Sequence, residues 1–231
     1  MAEKKGNSDV MAILVVVIIA AVCAAGLAFV KQTTAPLIAE AKRQETLHAL
    51  QKVVPEGCMV KLEAGRGWPE GSADTMEVFP GYDADGLLCG LAVKTRSDKG
   101  YSGKVVLVAG FSGLNHKGGV RLNRIYVTEH AETPGLGSLV TTGQDENPDT
   151  WGDDRGKVFG NNFKDKLLKK FTFAVKKAAE AGDNDVVAVT AATISSRAVT
   201  DAVQRAAELV TGNLEAMREA YSQTAEAGGV Q

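Results

Sequence analysis

The sequence predicts an α+β protein: one N-terminal transmembrane helix, then a mixed domain with a largely antiparallel sheet and flanking helices. Three observations carry that expectation. A charge-free apolar run opens the chain, paired β-branched stretches with Gly- and Asp-containing turns follow, and a strongly amphipathic helical pattern lies near the end. At 231 residues the chain can bury a proper core in one or two domains.

The first element runs from Val10 to Val30, "VMAILVVVIIAAVCAAGLAFV", 21 residues without a charge between Asp9 and Lys31. As a helix it is long enough to cross a hydrocarbon core of about 30 Å. A cleaved signal peptide is the competing reading, because small residues cluster at Ala21 to Ala25. The run exceeds a usual signal core, however, and Val22 before Cys23 suits lipoprotein cleavage poorly. A retained anchor follows: residues 1–9 as a short tail, 10–30 as the span and 31–231 as the domain. Lys4 and Lys5 precede the span, while Lys31, Lys42 and Arg43 follow it, so charge leaves the orientation open.

After the anchor, "TTAPLIAEAKRQETLHALQKVV" reads as a second helix with Pro36 in its first turn. "TMEVFPGY" and "GLLCGLAVKT" form a strand pair around an Asp85-Gly86 hairpin turn. "KVVLVAGF" and "VRLNRIYVTEH" form another pair, joined by "SGLNHKGG". A Gly- and Thr-rich loop and a polar stretch around Trp151 come next. "FKDKLLKKFTFAVKKAAEAG" fits a helix by its lysine spacing and a strand by "KFTFAV"; "DVVAV" reads as a strand. The last helix, "SSRAVTDAVQRAAELVTG", puts Ala198, Val199, Ala202, Val203, Ala206, Leu209 and Val210 on one face. Arg197, Asp201, Gln204, Arg205 and Glu208 oppose them. Thr211-Gly212 should interrupt it before "NLEAMREAYSQ", with a frayed tail beyond.

Composition narrows the chemistry. A net charge of −2 argues against a nucleic-acid surface. His48, His116 and His130 are scattered and no Cys/His spacing resembles a metal site. No Ser-His-Asp set or carboxylate pair argues for hydrolysis. Cys58 and Cys89 are either a disulfide, if the domain is exported, or two unrelated buried residues.

The informative stretch is "VTAATISSRAV", with Thr190, Thr193, Ser195 and Ser196 just where the final helix begins. Ser195 and Ser196 have an ordinary explanation as N-caps. Thr193 sits where free amide donors and the positive helix end favour an anionic group. Ala191 and Ala192 let a bulky ligand approach the backbone. A hydroxyl there would hydrogen-bond a phosphate or be esterified to one.

"TAATISSRAV" resembles the flavin-attachment segment of the FMN-binding domain in the G subunit of Rnf electron-transport complexes, shared by the C subunit of the sodium-pumping NADH:quinone reductase. That family's pattern is an acidic residue, two variable residues, Ser or Thr, Gly, Ala and Thr. Here Thr190 is the first hydroxyl, Ala192 the alanine and Thr193 the attachment point, while Ala191 replaces the Gly and Val187 the acidic residue, with Asp185 nearby. "HAETPGLG", His130 to Gly137, resembles the family's H-x-E-T-P-G-L-G loop, and "GYSGKVVLVAG" the strand preceding it.

The resemblance implies FMN joined to Thr193 by a phosphoester, installed by a flavin transferase with FAD as donor. Ser195 and Ser196 then border the phosphate, whose remaining negative charge sits at the helix start near Arg197. Gly135 and Gly137 bring backbone close to the ring, Leu136 covers a face, Thr133 meets ring atoms, and Glu132 orients the loop. It also implies a single-pass protein of the bacterial cytoplasmic membrane with its domain on the extracytoplasmic (periplasmic) side. Its partners would be the other membrane subunits of a ferredoxin:NAD oxidoreductase coupled to sodium or proton transport. Two alternatives stand beside this: the C-type subunit of the NADH:quinone reductase, and a non-redox membrane-tethered scaffold.

Overall fold

In the computed structural model, the described residues are 3–69, 71, 75–114, 119–141 and 159–227. The chain forms two compact units, Met1–Glu45 and Thr46–Gln231. The first is helical, part of α1 (Glu3–Val53). From Val10 onward this helix is long and apolar enough to cross a membrane, with side chains such as Ile13, Val17 and Phe29 exposed along it. Pro36 was expected at the start of a new helix and instead lies inside α1. The hydroxyls of Thr33 and Thr34 donate to the Phe29 and Val30 carbonyls at 2.9–3.1 Å in the turn before it.

The second unit is built on an antiparallel sheet of seven strands: β1 (Met59–Val60), β2 (Arg66–Trp68), β3 (Met76–Tyr82), β4 (Leu88–Ser97), β5 (Val105–Ser112), β6 (Arg121–His130) and β7 (Lys166–Leu167). Their order is β1-β3-β4-β5-β6-β7, with β2 also paired to β3. The expected strand pairs form the centre of this sheet.

Alternation along the strands divides two cores. Val78, Leu91, Val93, Leu107, Ala109 and Ile125 face a core completed by α2 (Thr193–Ala227). Phe79, Ala92, Val108 and Tyr126 face the other side, where Ala49, Leu50 and Val53 from the end of α1 cover them. Both faces are therefore shielded, which explains why the strands read as almost continuous apolar runs. Close approach of that helix end needs glycine at position 110, since a Cβ there would lie 2.0 Å from the Val53 carbonyl oxygen. Bulges in the β5–β6 pairing shift the register twice. One leaves Asn123 unpaired across the ladder, and its side-chain amide donates to the same Val53 oxygen at 2.6 Å. Cys58 and Cys89 form a disulfide across 6.1 Å between Cα atoms, tying the segment after α1 to β4.

Two local expectations change. The hairpin turn is wider than Asp85-Gly86 alone: Gly86 donates to the Asp83 carbonyl, and the Asp83 carboxylate accepts the amides of Asp85 and Leu87. Residues 163–182 form neither a helix nor a long strand. They hold only β7 and β8 (Val175–Lys176), and "DVVAV" contributes the two-residue β9 (Val186–Val187) parallel to β8. Asp165 and Phe173, at φ 51 and 54, turn the chain out of any regular path. By contrast, the expected interruption of the last helix is present: α2 is two helical stretches meeting at a kink at Asn213 (φ −120), directly after Thr211-Gly212. Burial of Met217 and Tyr221 holds the later turns in place, with the Trp68 indole donating to the Tyr221 hydroxyl at 2.8 Å. The polar stretch around Trp151 and His116 lie outside the described residues.

Candidate functional site

Two tight turns and one buried carboxylate organise the site. The first turn is Thr133–Leu136, immediately after β6. The Leu136 amide donates to the Thr133 carbonyl at 3.2 Å, Pro134 is the second residue, and Gly135 is left-handed at φ 74. That is the pattern of a type II turn, which favours Pro then Gly. Ser138 fastens it: its hydroxyl oxygen accepts the Gly135 amide at 2.9 Å, and its own amide donates to the Thr133 carbonyl.

The second turn is Val189–Ala192, just before α2. The Ala192 amide donates to the Val189 carbonyl at 3.0 Å, and Ala191 is left-handed at φ 63. Here Ser196 is the fastener. Its hydroxyl accepts the Val189 amide at 3.0 Å and donates to the Ala192 carbonyl at 2.9 Å. This conformation favours glycine, and alanine occupies it at a cost of about 1 kcal/mol.

The carboxylate is Glu132, only 5% exposed. One oxygen accepts the Tyr101 amide at 2.8 Å, and the other accepts the Ser195 hydroxyl at 2.7 Å. Three separate segments therefore meet at one side chain: the loop before β5, the loop after β6 and the first turn of α2. The fit around it is tight. A Cβ at Gly137 would lie 2.6 Å from a Glu132 oxygen and 2.8 Å from the Ser195 hydroxyl, and one at Gly100 would lie 2.6 Å from the other oxygen.

The serines do not act as N-caps. The helix starts at Thr193, so Ser195 and Ser196 lie inside its first turn, both buried and both committed to protein partners. Thr193 differs. Its side chain is exposed, and among the described residues its hydroxyl has no partner. Thr190 is exposed as well, whereas Ala192 is buried. The first helical bond runs from the Ser196 amide to the Ala192 carbonyl, so the amides of residues 193–195 lack intrahelical acceptors. An exposed hydroxyl beside such donors fits a phosphate oxygen. Arg197 is exposed one turn on. Thr133 and Leu136 are exposed, while Gly137 is buried against Glu132, so its lack of a side chain serves the protein's own packing.

Asp185, the carboxylate nearest the departure at Val187, has a structural post. The Lys176 ammonium at 2.8 Å, then the Thr172 hydroxyl at 2.6 Å and the Gly182 amide at 3.0 Å, hold its carboxyl well below the usual carboxylate range. Tyr101 and Ile194 were not singled out from sequence. Both are exposed, at 70% and 50%, beside the Glu132 contacts. The glycine before Tyr101, inside the "GYSGKVV" motif, was the available signal.

The FMN-binding domain family matches residues 100–208, which spans both turns, Glu132 and the start of α2. The G subunit of the Na(+)-translocating ferredoxin:NAD(+) oxidoreductase complex of Acetobacterium woodii is 30% identical over 201 residues, covering 82% of this chain and 86% of that protein. The chain belongs to the G-subunit family of ion-translocating oxidoreductase complexes. Other members of this family align at similar length. The G subunit of the ion-translocating oxidoreductase complex of Pseudoalteromonas atlantica is 32% identical over 205 residues, covering 82% of this chain and 84% of that protein. Its counterpart of the same name from Methanosarcina acetivorans is 28% identical over 199 residues, covering 86% and 93%.

Proposed function

We propose that this G-subunit family member is a single-pass flavoprotein whose FMN is esterified to Thr193. In this reading it relays electrons within an Rnf-type ferredoxin:NAD oxidoreductase complex that moves ions across the membrane, and it has no turnover alone. The observation that carries the reading is the exposed Thr193 hydroxyl, without a partner among the described residues, at the first residue of α2 and inside the segment matched by the FMN-binding domain. FMN supplies one- and two-electron redox chemistry when bound. The residues' part is to fix it: the first-turn amides and helix dipole favour the phosphodiester charge, and an ester bond removes dissociation.

No base contacts the Thr193 hydroxyl among the described residues, so the reading includes a separate flavin transferase. In that step the threonine oxygen bonds to the FMN phosphorus of FAD, the pyrophosphate bond breaks, AMP leaves and the hydroxyl proton goes to the transferase. The Cys58–Cys89 disulfide supports an extracytoplasmic domain, because such bonds persist in oxidising compartments. The G-subunit likeness over more than four-fifths of the chain favours this assignment over the C-type subunit of an NADH:quinone reductase.

The test is co-expression of the full chain with a flavin transferase, then intact mass and in-gel fluorescence after denaturation. The wild type should carry one FMN and fluoresce, and Thr193→Val should do neither. Flavin released on denaturation would overturn the ester, and absence of flavin would favour a scaffold.

A further inference from the structure

Lysines crowd the irregular region of the second unit. Across 164–177 the sequence places six of them against one aspartate, in a chain whose net charge is −2. The turn at 182–185 gathers the loops that carry them. Its Asp183 carbonyl accepts the Lys166 ammonium at 2.9 Å, its Asn184 carbonyl accepts the Thr172 hydroxyl at 3.1 Å, and Asp185 pairs with Lys176. Asp165 is taken by Arg121, which leaves Glu180 and Asp183 as the exposed acids of this region. Against these two stand Lys164, Lys169, Lys170 and Lys177, all exposed, with no partner for their ammonium groups among the described residues. No apolar anchor accompanies them. The large exposed apolar side chains of the second unit, among the described residues, are Met59, Leu87, Tyr101, Leu136 and Ile194, and none lies between 164 and 187.

We propose that these four lysines are the docking face for an acidic surface on another subunit of the complex. The proposal rests on membership of that complex and not on the ester at Thr193. Excess positive charge without an apolar anchor names the occupant's chemistry. Such a face attracts carboxylates over a Debye length, about 8 Å at 0.15 M salt, and gives a fast contact that salt weakens. A protein surface is favoured over a lipid bilayer because no side chain here would enter the apolar layer. Position makes the contact useful. β8 pairs with β9, and the Ala188 amide donates to the Lys176 carbonyl at 2.8 Å, two residues before Thr190. A subunit held on Lys177 therefore sits beside the turn that leads into Thr193.

The experiment uses the full chain in its membrane complex, extracted in mild detergent. Zero-length carbodiimide crosslinking, which joins a lysine amine to a carboxylate with loss of water, is followed by peptide mapping. Amide links should run from Lys169, Lys170 or Lys177 to Asp or Glu of another subunit, and should fade at 0.5 M salt. A second measurement is the yield of subunits that co-purify with the tagged chain at 0.15 M salt. Replacing all four lysines by Glu should lower it about tenfold, the combined effect of four exposed charges, with thermal melting unchanged. Replacing all four by Arg should keep the wild-type yield, and so should Lys61→Glu, an exposed lysine elsewhere. That rescue separates charge from the loss of a side chain. If the wild-type complex assembles but the Glu variant keeps full yield and no intersubunit link maps to these lysines, the docking face is wrong while membership stands. Links only to the acidic residues 145–154 of the same chain, or to a second copy, overturn the proposal. So does salt-sensitive binding to phosphatidylglycerol vesicles without any intersubunit link. If no subunit co-purifies with the wild type under any salt, membership and docking face both fall.

Discussion

The Pro134-Gly135 and Thr190-Ala191 turns border the same site, demand the same backbone and are built from different residues. Each needs a left-handed third residue, and each is fastened by a serine a few positions later. The first uses glycine and an exposed serine bond. The second tolerates alanine, and its fastener Ser196 is fully buried with two hydrogen bonds. The difference teaches where shape is enforced: at the helix start, burial and hydrogen bonding hold a conformation that the local residue disfavours. Alanine at position 191 is thereby held in a conformation that favours glycine, two residues before the exposed Thr193.

The largest effect should come from breaking the packing that both turns share. Gly137→Val would drive side-chain atoms into Glu132 and Ser195, at contacts already 2.6–2.8 Å from a single added Cβ. A loss of about 3 kcal/mol and of most flavin is expected, with membrane insertion intact, measured by thermal melting and membrane fractionation. Next come the fasteners. Ser196→Ala strands the Val189 amide and should cost about 2 kcal/mol, while Ser138→Ala leaves an amide that water can reach and should cost about 0.5 kcal/mol. Equal losses in denaturant titration would erase the contrast.

Smaller still are the left-handed positions, where the sign should reverse. Gly135→Ala should destabilise by about 1 kcal/mol, and Ala191→Gly should stabilise by about 0.5–1 kcal/mol. The mildest probe is acid. Asp185 has a lowered folded value, so its stabilising contribution is complete above its unfolded value near 4 and declines as pH falls through the folded one. The gap in melting temperature between wild type and Asp185→Asn should be constant above about pH 5 and shrink below about pH 4.

Much of this was legible in the sequence. The four long strands and the buried face of α2 announce themselves because both faces of the sheet and one face of the helix are apolar. The region from Phe163 to Val187 does not. Its shape depends on contacts such as Asp185 with Lys176 and Thr172, and on left-handed residues that carry no periodicity. In the site, the threonine segment and the "HAETPGLG" loop could be recognised from their residues. The commitment of Ser195 to Glu132 could not, because it joins residues 63 positions apart. Pairing of Cys58 with Cys89 likewise needed the fold.

The most direct test is peptide mapping of the chain from its assembled membrane complex. The peptide containing Thr190 to Arg197 should carry an FMN phosphoester on Thr193. Recovery of that peptide unmodified would contradict the attachment on which the electron relay depends.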